Sequence, residues 1–149
     1  MLVGLVDFAV AAVLLAIGLL IYGIAPSLLA IVLVPYLLLL LVLATAGVGT
    51  LLSAVNLEFR DVKHVVPFLT QLWMYASPVV YPISMIPERW RLLYAVNPMA
   101  GIIEGLRAAL FGLPVPWAVI GVSSLSSIAI FVYGILHFRR TEPRFADIA

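Results

Sequence analysis

Glu104 and Arg107 stand three residues apart, as do Glu88 and Arg91, and on a helix that spacing sets acid and base side by side so that each neutralises the other. Pairing lowers the cost of shallow burial in a membrane, where ionisable residues are often functional. Two readings are open for these pairs, a charged gate or substrate contact and an interfacial helix with solvated charges. Aromatic residues crowd the same part of the chain: Trp73, Tyr75, Tyr81, Trp90, Tyr94 and Trp117. A membrane-interface belt suits Tyr81, Trp90 and Trp117, while Trp73 and Tyr75 fall deeper. Aromatic faces also stack on sugar rings and on lipids, which makes Trp73, Tyr75 and Tyr81 the candidate lining of a polar-but-greasy conduit.

Covalent and metal chemistry find little support. His64 and His137 stand beside apolar runs without metal-ligand spacing, and no serine sits in a Gly-x-Ser-x-Gly elbow. Gly47-Val48-Gly49-Thr50 has neither the lysine nor the spacing that cradles phosphates, so any ATP-driven work requires another chain. Asp7 could belong to a proton relay, but its nearness to Met1 favours a helix-end carboxylate. The expectation is therefore no catalytic residue, no metal and no cofactor bound by this chain. A membrane enzyme acting on lipid would need a convergent nucleophile or metal set, and none is found.

The elements that must position these residues follow from composition. The chain has 149 residues, 65% hydrophobic and 10% charged, with mean hydropathy +1.23. An average soluble domain is about half apolar and about a quarter charged. This is an all-α integral membrane protein. A net charge of +1 and eight Lys and Arg residues without a dense run argue against nucleic acid, and the absence of cysteine excludes disulfides. No charge occurs from Phe8 to Leu57. At about 1.5 Å per residue, a hydrocarbon core of about 30 Å takes about 20 residues, so that run holds two spans and a turn.

Spans are expected over 2–24, 28–55, 65–81 and 117–138, with turn residues Gly23 to Ser27 joining the first two into an antiparallel hairpin. Pro35 is a candidate bend in the second. The stretch Asn56 to His64 is the densest polar segment and must reach water. The third span carries Pro67, Gln71, Ser77 and Pro78 and is expected to face protein or a cavity rather than lipid. Between the third and fourth spans, Pro87 opens one short helix and Asn97 caps a second that Gly112 and Pro114 end. Both are too short to cross, so residues 87–111 are expected to form a re-entrant or interfacial helical hairpin. Thr45, Gly49 and Ser53 recur every four residues, as do Ser123 and Ser127, and each set can serve as a moving interface or as ordinary packing. Basic residues near span ends favour Arg60, Lys63, Arg139, Arg140 and Arg144 on one side over Arg89, Arg91 and Arg107 on the other, which places the Asn56 loop, both termini and the tail 139–149 in the cytoplasm.

The run Asn56 to His64, then Pro67-Phe68-Leu69, Ser77-Pro78-Val79-Val80-Tyr81-Pro82, Pro87-Glu88-Arg89-Trp90, Asn97-Pro98-Met99-Ala100-Gly101 with Arg107, and the closing Phe138-Arg139-Arg140 and Arg144-Phe145-Ala146-Asp147, resembles the permease subunit of type-2 export ABC transporters. The resemblance is to the polysaccharide exporters that move O-antigen or teichoic-acid chains. It implies six spans, a homodimeric permease in the bacterial inner membrane, and two ATP-binding cassette subunits that hold ATP and magnesium. This chain would supply the last four spans, with Met1 an internal start, and would not export by itself. The resemblance further implies that Arg60, Asp61 and Lys63 contact the ATPase side. The helices bearing Glu88, Arg89, Trp90, Asn97, Glu104 and Arg107 would form an outer gate. A structural or assembly subunit, or a permease fragment without activity, is the alternative.

Overall fold

The computed structural model describes residues 2–23, 26–58 and 62–141, and every regular element in them is helical. The helices are α1 (Leu2–Ile21), α2 (Ala30–Glu58), α3 (Val62–Tyr75), α4 (Glu88–Tyr94), α5 (Pro98–Phe111) and α6 (Trp117–Thr141), with a 3-10 turn at Ile83–Met85. Two stretches, Ala30–Asn56 and Trp117–Arg140, are long and apolar enough to cross a membrane, and Val6–Ile21 is a shorter apolar helix. Gly23 stops α1 in the left-handed conformation at φ 65°, a region that a β-carbon disfavours. Arg60, Asp61 and Arg144 lie outside the described residues, and Lys63 falls in the first turn of α3.

The third helix differs from its expected bounds. It begins three residues earlier than 65, at Val62, and ends at Tyr75 rather than at 81. Pro67, the sixth residue, forgoes one intrahelical hydrogen bond, and the helix continues through it. Pro78 ends the run, because proline pushes the residue before it out of helical geometry, and Ser77 and Pro78 are both buried where the chain turns. The apolar Val79-Val80-Tyr81, which extended the sequence pattern, belongs to that turn. With 14 residues, α3 is about 21 Å long.

The core forms where α2, α5 and α6 meet. Leu33, Leu37 and Leu40 of α2, Ile102 and Ala109 of α5 and Ile120 of α6 are buried against one another. Close approach of α2 to α6 rests on two glycines. A β-carbon on Gly47 would stand 2.7 Å from the Phe131 backbone, and one on Gly134 would stand 2.6 Å from the Gly47 carbonyl oxygen. The Tyr36 hydroxyl and Ser124 Oγ, 2.8 Å apart, add a hydrogen bond along the same seam. Thr45, Gly49 and Ser53 lie off this contact: Thr45 bonds to carbonyls of its own helix, a β-carbon on Gly49 would meet nothing within 4 Å, and Ser53 is exposed. By contrast Ser123 and Ser127 are fully buried. On α1 most side chains are exposed; the exception is Leu19 in its last turn, near which Leu15, Tyr22 and Phe111 line a shallow recess.

Candidate functional site

Pro98 occupies the first helical position of α5, where its missing N–H costs nothing, and Asn97 before it is extended and caps the helix by accepting from Met99 N at 3.1 Å. That much is local. The same Oδ1 accepts the Trp73 indole N–H at 3.0 Å, while Nδ2 donates to the Ala76 carbonyl at 3.1 Å and to Ser77 Oγ at 2.9 Å. Two acceptor sites and two donors are the whole capacity of an asparagine amide, and all are used. One side chain thus closes both the carboxyl end of α3 and the amino end of α5.

Ser123 of α6 performs the complementary task beneath it. Its Oγ donates to the Ala95 carbonyl at 2.8 Å and accepts from Gly101 N at 2.9 Å. Only glycine allows this approach, since a β-carbon on residue 101 would stand 2.6 Å from both Cβ and Oγ of Ser123. Ser123 lies about two helical turns into α6, so the chain reversal between α4 and α5 is placed well inside the helical bundle. At the other end of α5, Gly112 closes the helix in the left-handed conformation, and Ser27 Oγ donates to the Ala109 carbonyl at 3.0 Å.

The acid–base pair expected from its spacing forms. Arg107 Nη1 donates to Glu104 Oε1 at 2.7 Å, and Glu104 is 8% exposed. The carboxylate also accepts the Ile83 backbone N–H at 2.7 Å, and Arg107 Nη2 donates to the Pro78 carbonyl at 3.3 Å. The pair therefore pins the segment between α3 and α4 onto α5. Glu88 and Arg91 meet more loosely, at 3.6 Å with Glu88 almost fully exposed, and Arg91 Nε donates to the Ile86 carbonyl at 2.9 Å. Arg89 lies over the Trp90 ring at 5.8 Å, with both residues exposed.

The three aromatics singled out as a lining part company. Trp73 faces an open groove of about 760 Å³ between α2 and α3, with Thr45, Gly49 and Leu52 on one wall and Val66 and Leu69 on the other. Tyr75 and Tyr81 do not line it. Tyr81 instead donates its hydroxyl to the Tyr75 carbonyl at 3.1 Å and stands 2.7 Å from the Tyr94 hydroxyl. Ser123 and Gly101 were not among the sequence-derived site residues. Their signal was a small residue in each of two helices, which carries no pairing information by itself.

A family model described as ABC-2 type transporter matches residues 3–111. The O-antigen export system permease protein RfbA of Klebsiella pneumoniae is 31% identical over 107 residues, which are 72% of this chain and 41% of that protein. A protein of the same name from Myxococcus xanthus is 36% identical over 69 residues, 45% of this chain and 26% of that protein. The chain thus spans less than half the length of these curated relatives. No solved structure matches it. The family match covers most of the chain, including α1 to α5 and the whole Asn97 and Glu104 arrangement, and on that ground the chain belongs to the ABC-2 type transporter family.

Proposed function

We propose that this chain is a membrane-spanning subunit of an ATP-driven exporter and forms part of the path for a lipid-linked polysaccharide. The observation that carries the reading is the similarity over 107 residues to a permease named for O-antigen export. The geometry is consistent with transport without chemistry on the cargo. Two long apolar helices clasp a short helix whose polar end is buried, and irregular backbone at membrane depth is tolerated where protein satisfies it.

In this reading α1, α2 and α6 are spans, and the third crossing is made by α3, too short at about 21 Å to cross by itself, together with the turn that follows it. The pair α4 and α5 dips between α3 and α6 from the outer face as a re-entrant gate, and Glu88, Arg89 and Trp90 sit at its rim. Asn97, Glu104 and Arg107 hold the gate's fold rather than meeting cargo, since the Asn97 amide, Glu104 Oε1 and both Arg107 Nη atoms are engaged within the chain. Trp73 lines the conduit. Its N–H is taken by Asn97, so the indole can offer cargo only its apolar face. Arg60, Asp61 and Lys63 meet a separate ATP-binding cassette chain, which holds ATP and magnesium, and a second permease copy completes the path. Binding of ATP by the partner would bias the two copies between closed and open states. The membrane is the bacterial inner membrane, with both ends of the chain in the cytoplasm.

Complementation tests the reading. A strain lacking a polysaccharide-exporter permease, supplied with the ATPase, this chain and a first-half permease fragment, should regain surface polysaccharide, and this chain alone should not restore it. No recovery with either combination, while the chain is inserted and stable, would refute the assignment.

A further inference from the structure

The attachment of α3 is one-sided. Among the described residues, its side-chain and carbonyl links to other elements all leave from its carboxyl end: Trp73 and the Ala76–Ser77 turn to Asn97, and the Tyr75 carbonyl to Tyr81. Along the rest of its length α3 meets α2 only sparsely, with the 760 Å³ groove between them. The hydroxyls in that groove are turned inward to their own helices, Thr45 to Leu41 and Val42, Thr70 to Val66. Among the described residues no hydrogen bond joins the two walls. Movement of one wall against the other therefore breaks no polar contact.

At the fixed end the situation is reversed. Asn97 has no unused donor or acceptor, and its own backbone is anchored because Ser123 holds Ala95 and Gly101 on either side of it. We propose that Asn97 is the pivot on which α3 swings relative to the block formed by α2, α5 and α6, the groove being the space swept. A helix of about 21 Å held at one end moves its far end by about 4 Å for a tilt of about 10°. In sequence that far end follows on the Asn56 to Asp61 stretch, so a push delivered there would reach the turn between α4 and α5 through Asn97, with Tyr81 as a second link to Tyr94 of α4. The inference rests on the transport reading only for what the swing accomplishes.

The test uses the complete transporter in membranes, in which this cysteine-free chain accepts spin labels cleanly. Labels at Val65→Cys on α3 and Leu136→Cys on α6 report the swing; labels at Phe111→Cys on α5 and Leu125→Cys on α6 report the core. Trp73→Phe and Ser77→Ala each remove one bond to Asn97 while keeping most of the side chain, and Asn97→Ala removes all. The expected result is a Val65–Leu136 distance distribution that broadens by a few Å in the two mild variants and more in Asn97→Ala, while the Phe111–Leu125 distribution stays as in the parent. An unchanged Val65–Leu136 distribution in Trp73→Phe and Ser77→Ala, or equal broadening of both pairs, overturns the pivot. Because distances are read without export, loss of transport with unaltered distances would count against the pivot and leave the transport assignment standing.

Discussion

Along the seam between α2 and α6, Gly47 and Gly134 bring two backbones into contact, whereas at the end of α3 a single asparagine side chain spans a gap that backbones do not close. Both regions join helices in a chain with little charge, yet one relies on shape and the other on directed hydrogen bonds. In a hydrocarbon solvent the hydrophobic effect does not drive helices together, so these are the two means available. Shape holds a long contact rigidly. Hydrogen bonds hold a point, and leave the elements on either side free to change angle.

The contrast is broken most directly at the seam. Gly134→Leu would drive a side chain into the Gly47 carbonyl and Thr50, and overpacking of this kind costs about 3 kcal/mol or more. Loss of monodisperse protein after detergent extraction is the expected outcome, with Gly49→Leu, where space is open, behaving as the parent. Equal damage from the two would show that the seam is no tighter than the groove face.

Next in size is Glu104→Ala, which strands the Arg107 guanidinium and the Ile83 N–H together and should cost on the order of 3 kcal/mol, read as a lowered thermal midpoint. Exchanging the two residues should not restore stability, because an arginine at 104 would face the Ile83 N–H, donor against donor. Recovery in the exchanged variant would mean that the ion pair alone matters. Ser123→Ala removes one donor and one acceptor from beneath the joint, with an expected cost of about 1 kcal/mol by the same measurement. At the small end, Glu88→Ala should leave the midpoint unchanged, since an exposed acid 3.6 Å from its partner contributes little.

Legibility divides along the same line as the two regions. The Asn97 cap and the Glu104–Arg107 pair could be read because both are local: a cap sits before a proline at the first helical position, and a partner sits one turn away. The other three bonds of Asn97 reach residues at least 20 positions distant, and no spacing rule connects Trp73 or Ser77 to it. Spacing also misdirected. The regular stripe Thr45, Gly49 and Ser53 was the stronger small-residue pattern, yet the contact between α2 and α6 uses Gly47, which lies off that stripe, and Gly134, which stands alone among large neighbours. The same limit explains α3, where an apolar run past Pro78 has the composition of a span and the geometry of a turn.

The anchoring of α5 by Ser123 also fixes an order of events during synthesis. Most of the described side chains of α1 are exposed, so its formation waits on no other element. Ser123 is translated after α5 is complete, and until it arrives Gly101 N and the Ala95 carbonyl lack the hydroxyl that both require. At about 5 to 20 residues per second the wait is a few seconds or less. During that interval α5 lacks the partner that fixes its amino end, and its docking against α2 and α6 is completed only when α6 has been made.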